Sequence, residues 1–169
     1  DINGDGIDDI MIGKPFSSGI GKVIVVFGSN SGFSALYEES DFDGSNGIVI
    51  SSDVSGNGFG DALSRAGDIN NDGIDDIIIT APSDDTVFTN SGRSYVIFGN
   101  SSITSLNVSE LDGTNGFFID GFSQSTGDGT KVSDAGDVNN DGIDDVILGF
   151  PNYEEGLVRS VGRVCVIYG

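Results

Sequence analysis

The chain has 169 residues, enough for one ordinary domain with a buried core. Its 27 acidic residues against 7 basic ones give a formal charge of −20, which argues against nucleic-acid and anionic-membrane surfaces, since both recruit clustered Lys and Arg. The absence of His and the single Cys argue against imidazole or thiolate metal centres and leave no internal disulfide, and no apolar run approaches the roughly 20 residues of a membrane-spanning helix.

The chain opens on a nine-residue loop, Asp1-Ile2-Asn3-Gly4-Asp5-Gly6-Ile7-Asp8-Asp9. A short apolar run ending at a proline follows, Ile10-Met11-Ile12-Gly13-Lys14-Pro15. After a variable loop comes a second run, Gly21-Lys22-Val23-Ile24-Val25-Val26-Phe27-Gly28. The linker holds the turn Asp43-Gly44-Ser45-Asn46-Gly47, then a strand signal at Ile48-Val49-Ile50 and another near Asp61–Gly67. The same order then returns. A second loop (Asp68–Asp76) leads into Ile77-Ile78-Ile79-Thr80-Ala81-Pro82 and then into Arg93–Gly99. The linker turn recurs at Asp112–Gly116, with strand signals at Phe117-Phe118-Ile119 and Lys131–Gly136. A third loop (Asp137–Asp145) precedes Val146–Pro151 and Arg163–Gly169. The loops begin at residues 1, 68 and 137, so the period is close to seventy residues. Runs this short, β-branched and bounded by Gly or Pro read as strands covered on both faces. Each unit offers four strands and no convincing helix, which suggests propeller blades.

Each loop sets oxygen-bearing side chains at its positions 1, 3, 5 and 9: Asp1, Asn3, Asp5 and Asp9; Asp68, Asn70, Asp72 and Asp76; Asp137, Asn139, Asp141 and Asp145. Three carboxylates drawn together repel one another unless a cation joins them. A hard cation such as Ca²⁺ takes about six to eight oxygens in forgiving geometry, whereas Mg²⁺ demands stricter octahedra. Alternate spacing lets a curled loop aim its odd positions at one centre. Position 7 (Ile7, Ile74, Ile143) offers a backbone carbonyl while its side chain turns to the core. The last Asp can bind through both oxygens, and Gly at position 6 permits the sharp turn. The expectation is three structural Ca²⁺ sites, which bring the formal charge from −20 to −14. A single Asp/Asn/Gly cluster is also a good turn former; three copies, each ahead of an apolar run, favour the ion. Position 12 holds Ile12, Ile79 and Leu148, so these are not EF-hand loops. The long period also separates them from nine-residue β-helix repeats.

With these motifs, the units resemble FG-GAP repeats, the blades of the integrin α-subunit head. The resemblance covers essentially the whole chain. The "FG" stands as Phe59-Gly60, replaced by Asp128-Gly129 in the third unit. The "GAP" stands as Gly13-Lys14-Pro15, Thr80-Ala81-Pro82 and Gly149-Phe150-Pro151. These departures place the chain nearer to distant microbial or protist surface proteins than to vertebrate integrins. The resemblance implies an all-β fold of about two and two-thirds four-stranded propeller blades, with Ca²⁺ loops on one face. Residues 1–39 form a blade lacking its first strand, 40–108 a second blade and 109–169 a third. A closed ring of seven such units needs about 480 residues. The chain is therefore expected to be a segment of a larger propeller, or else to complete its blades with copies of itself.

The resemblance further implies a non-catalytic module, extracellular or on a cell surface, for adhesion or recognition of a protein or glycan ligand. Two other roles stay open: a self-associating building block of an extracellular filament or coat, and an accessory propeller of a secreted enzyme. Catalysis finds little support, with no His, no Gly-x-Ser-x-Gly and no phosphate-binding glycine loop. Glu154-Glu155 reads as a solvated pair. Asn100 and Asn107 head Asn-x-Ser sequons and are candidate glycosylation acceptors in a surface loop, though their number is what chance gives in so Asn- and Ser-rich a chain. Phe16, Phe33, Phe88 and Tyr153 read as loop anchors rather than ligand-binding aromatics. Cys165, within Val164-Cys165-Val166-Ile167, reads as a small buried hydrophobe.

Overall fold

The computed structural model describes residues 1–16, 19–87, 89–122, 131–154 and 161–169. Phe88, Asp128-Gly129 and Glu155 lie outside them. The β-branched runs form strands as their composition requires. In chain order these are β1 (Ile10–Lys14), β2 (Ile20–Val26), β3 (Gly47–Ser55), β4 (Leu63–Gly67), β5 (Asp76–Ala81), β6 (Arg93–Ile97), β7 (Leu106–Asn107), β8 (Gly116–Asp120), β9 (Lys131–Gly136), β10 (Asp145–Phe150) and β11 (Arg163–Ile167). Two short 3₁₀ segments, Glu39–Asp41 and Val108–Glu110, lie in the linkers between strands.

The strands form three sheets, ordered β1-β2-β3-β7, β4-β5-β6-β8 and β11-β10-β9. Neighbours are antiparallel throughout, except that β7 lies parallel to β3 through Ile50–Leu106 and Ser51–Asn107. These are blades of a partial propeller; no sheet closes on itself. The sheets run across the sequence boundaries at 40 and 109. Gly47–Ser55 is hydrogen-bonded to β2, and Gly116–Asp120 to β6, so each linker strand joins the unit that precedes it. Among the described residues the first sheet thus has no strand beside β1 on its inner edge, and the third has none beside β11 on its outer edge.

The middle sheet is covered on both faces. Ile77, Ile79, Ala81, Tyr95 and Ile97 pack against Val23, Val25, Ile48 and Ile50 of the first sheet. Ile78 and Val96 turn the other way, onto Val146, Leu148 and Phe150 of the third. Period-two alternation with both faces buried explains why β5 is apolar at every position but Asp76 and Thr80. Cys165 is half-buried and packs with Ile167 into the second of these cores. The end sheets show the counterpart: Ile10 and Ile12 are 49% and 47% exposed, and Val164 is 64% exposed.

Phe59-Gly60 locks the first two sheets together. Phe59 is fully buried and meets the Tyr95 ring edge-on, with centroids 5.4 Å apart. Gly13 and Gly21 make room for it. A Cβ on Gly13 would lie 2.2 Å from the Gly60 carbonyl oxygen, and one on Gly21 would lie 2.3 Å from that of Phe59. Phe59→Ala should therefore cost about 3–5 kcal/mol, read from the urea midpoint of unfolding. A loss below about 1 kcal/mol would mean that the ring is not an inter-sheet anchor.

Candidate metal centre

The three acidic loops precede β1, β5 and β10 and sit at one end of the sheets. Each folds on the same hydrogen bonds. The position-1 carboxylate accepts the N–H groups of positions 5 and 6, at 3.0 and 2.7 Å for Asp1, 2.9 and 2.8 Å for Asp68, and 3.0 and 2.9 Å for Asp137. The Asn3, Asn70 and Asn139 carbonyls accept the same position-5 N–H, and Asp5, Asp72 and Asp141 accept that of position 7. Such Asx turns explain the preference for Asp and Asn here. Gly6, Gly73 and Gly142 have positive φ, as a sharp turn at position 6 requires. Position 4 is left-handed as well, and it is filled by Gly4, Asn71 and Asn140, residue types that tolerate this conformation.

Position 9 has a different task. Asp9, Asp76 and Asp145 each accept two backbone N–H groups, one on each oxygen. The first comes from position 2 of the same loop (Ile2, Ile69, Val138) at 2.9, 3.0 and 2.9 Å. The second comes from the glycine after the third strand of the unit (Gly28, Gly99, Gly169) at 2.7, 2.8 and 3.1 Å. Those glycines must lack a side chain. A Cβ on Gly99 would lie 2.2 Å from the Asp75 carbonyl oxygen. Ile7, Ile74 and Ile143 are half-buried and rest on these same glycines rather than deep in the core.

Among the described residues, no three of the acidic, His or Cys side chains form a ready-made metal-ligating group. The loop oxygens face their own amides instead. The donor set still has the chemistry of a hard-cation site: three carboxylates, one amide oxygen and one backbone carbonyl per loop. Its electrostatics point the same way. Burial, assisted by the charges of Asp72 and Asp68, pushes the Asp76 carboxyl up to about 7, against the pull of the N–H bonds from Gly99 and Ile69. A cation among these carboxylates would reverse that repulsion.

Other sequence candidates scatter. Asn100 is exposed, and its carbonyl accepts the Ser102 N–H at 3.0 Å. Asn107 is half-buried in β7, where it caps the following 3₁₀ turn and accepts the Ser109 N–H at 2.9 Å. Phe16 and Phe33 are exposed. Tyr153 lies under the Arg163 guanidinium, 3.8 Å from its ring centroid. Sequence reasoning missed a buried polar network at the opposite end of the middle sheet. There Asp84 is 1% exposed and accepts the Thr86 N–H and hydroxyl, with Asn57 at 3.4 Å and the Tyr95 hydroxyl at 3.5 Å. Asn57 in turn accepts the Phe59 N–H at 3.0 Å, so the network supports the inter-sheet anchor.

Stacked antiparallel sheets, each entered through the same acidic loop, define a repeat protein of the β-propeller class. The FG-GAP repeat model matches residues 1–26 and 59–97. Integrin alpha-4 of Xenopus laevis is 32% identical over 154 residues, covering 88% of this chain and 13% of the relative. The chain belongs to the FG-GAP, integrin α-like family. It thus spans a small part of the length of that relative. No helix among the described residues is long and apolar enough to cross a membrane.

The Asp76 environment gives a signed pH dependence for the ion-free chain. The folded carboxyl holds its proton up to about 7, while the unfolded one loses it near 3.9. The folded state therefore binds more protons between these values, and stability falls as pH rises through this window. In excess chelator, the melting temperature should drop from pH 5 to pH 8. A rise over that range would contradict the burial of this carboxyl.

Proposed function

We propose that this chain is a non-catalytic, Ca²⁺-binding module of an extracellular propeller that recognises a protein or glycan ligand. The observation that carries it is the threefold recurrence of one loop geometry with one hard-oxygen donor set. Asp1, Asn3, Asp5, the Ile7 carbonyl and Asp9 would hold the first ion. Their counterparts at 68, 70, 72, 74 and 76, and at 137, 139, 141, 143 and 145, would hold the other two. The ion's contribution is charge neutralisation and loop closure, not chemistry on a substrate. Similarity to an integrin α subunit supports an extracellular, adhesive setting. The residue pattern supports the non-enzymatic reading, since the carboxylates of positions 1, 5 and 9 are committed to the ion sites. If the chain passes through a eukaryotic secretory route, Asn100 is the better glycan acceptor, because it is exposed whereas Asn107 is half-buried.

Ca²⁺ bound only to the folded loops stabilises by about 2.7 kcal/mol per site at a hundredfold excess over Kd. Chelation should therefore lower the melting temperature by roughly 5 °C or more. An unchanged melting curve would remove the metal assignment. Asp72→Ala should reduce the count in native mass spectrometry from three ions to two, and a count still at three would mean that the donor set is wrong. For the recognition role, saturable and chelator-sensitive binding of an extracellular protein or glycan to the immobilised chain is the expected result. Regular self-assembly at the same concentrations, without such binding, would favour the building-block role instead.

A further inference from the structure

The eighth loop position carries Asp in all three repeats, as Asp8, Asp75 and Asp144. The odd-numbered donor set does not use it. Asp144 Oδ2 instead accepts the backbone N–H of Asp68, in the preceding loop, at 3.0 Å. Asp75 Oδ2 takes the backbone nitrogen of Asp1, the terminal amine here, at 3.2 Å. Each contact therefore joins one loop to the backbone nitrogen of the first residue of the loop before it. That nitrogen belongs to a donor residue: the Asp68 carboxylate itself closes its loop on the Asp72 and Gly73 amides.

The contact is close. Gly67, with φ +66°, precedes Asp68, and a Cβ there would lie 2.1 Å from Asp144 Oδ2. Gly136 occupies the same place in the third repeat with φ +62°, yet a Cβ there would meet nothing within 4 Å. The crowding at Gly67 thus comes from the docked carboxylate and not from the shape of the loop. A second link runs alongside, since the Asn100 N–H donates to the Ile2 carbonyl at 3.0 Å. Position 2 is the plug between units. Ile2 and Ile69 are buried against the next sheet, whereas Val138, with no following loop packed on it among the described residues, is 55% exposed. Arg65 lies in the field of both Asp75 and Asp144 and is itself held by Asp134, at 2.6 Å.

We propose that Asp75 and Asp144 are positioning residues that couple neighbouring ion loops. Each fixes the first backbone nitrogen of the preceding loop, so that order in one loop preorganises the donor set of the other. Asp144 lies between the position-7 carbonyl and the position-9 carboxylate of its own loop. An ion that draws those two groups together also fixes Asp144, and through it the backbone of Asp68. The middle loop then loses less conformational freedom when its own ion enters. The inference rests on the Ca²⁺ reading above.

The test is a Ca²⁺ titration of the whole chain followed by amide NMR, with Gly6, Gly73 and Gly142 each reporting its own loop. Asp144→Ala removes the contact but no donor. It should keep three bound ions while raising the Gly73 midpoint by about fivefold or more. Asp144→Asn, which retains an accepting oxygen, should stay near the parent. Asp141→Ala disables the third site and leaves Asp144 in place; it should raise the Gly73 midpoint too, and it carries the test if Asp144→Ala fails to fold. A Gly73 midpoint unmoved by Asp144→Ala and Asp141→Ala would overturn the coupling while leaving the ion sites intact. Absence of any Ca²⁺ response at all three glycines in the parent chain would overturn the ion reading itself, and the coupling with it.

Discussion

Each repeat closes on one carboxylate. Asp9, Asp76 and Asp145 stand at the entry to a strand and accept two backbone N–H groups apiece, one from the loop just behind and one from the turn about twenty residues ahead. Hydrogen bonds to an ionised acceptor are roughly twice as strong as neutral ones. The loop, the strand that follows it and the end of the third strand are thereby fixed to a common point. The register of β1 on β2, of β5 on β6 and of β10 on β11 starts from that anchor. Asp76 and Asp145 are buried and Asp9 is half-buried, and at Asp76 burial among like charges holds the proton to about 7. A cation would relieve this conflict and leave the hydrogen bonds in place, which is why a structural ion and a structural carboxylate suit one site.

The second constraint is burial. A strand such as β5, apolar on both faces, needs a sheet on either side. Among the described residues the middle sheet has this and the end sheets do not, so equivalent residues differ in exposure: Ile77 and Ile79 are buried while Ile10 and Ile12 are about half exposed. Repeat proteins behave in this way because each unit is stabilised mainly through its neighbours. The inter-loop bonds from Asp144 to Asp68 and from Asp75 to Asp1 extend the same dependence to the acidic face.

The period and the strands were legible because both are local. Three loops in step and apolar runs bounded by Gly and Pro identify the class without reference to distant contacts. Sheet membership was less legible. Gly47–Ser55 lies in a linker that reads forward into the next loop, yet it hydrogen-bonds backward to β2, because the antiparallel partner already in place determines where a returning strand pairs. Positions 2, 4 and 8 of the loop went unread for a related reason. Positions 2 and 8 hold the same kind of residue in every copy, which was a visible signal, but their roles are contacts with the adjoining repeat. Position 4 needed the backbone: the alternation of Gly4 with Asn71 and Asn140 marks a left-handed residue. The Asp84 network had no signal at all, being assembled from residues that look like ordinary loop polar groups.

The central claim is that three oxygen-lined loops hold three ions and thereby brace the blades. Crystals grown with Ca²⁺ and then exchanged with a lanthanide, recorded at the lanthanide absorption edge, test it most directly. The account predicts three anomalous peaks per chain, one inside each loop, among the carboxylates of positions 1, 5 and 9. Peaks confined to surface carboxylates such as Glu154, or no peak within the loops at saturating metal, would contradict it.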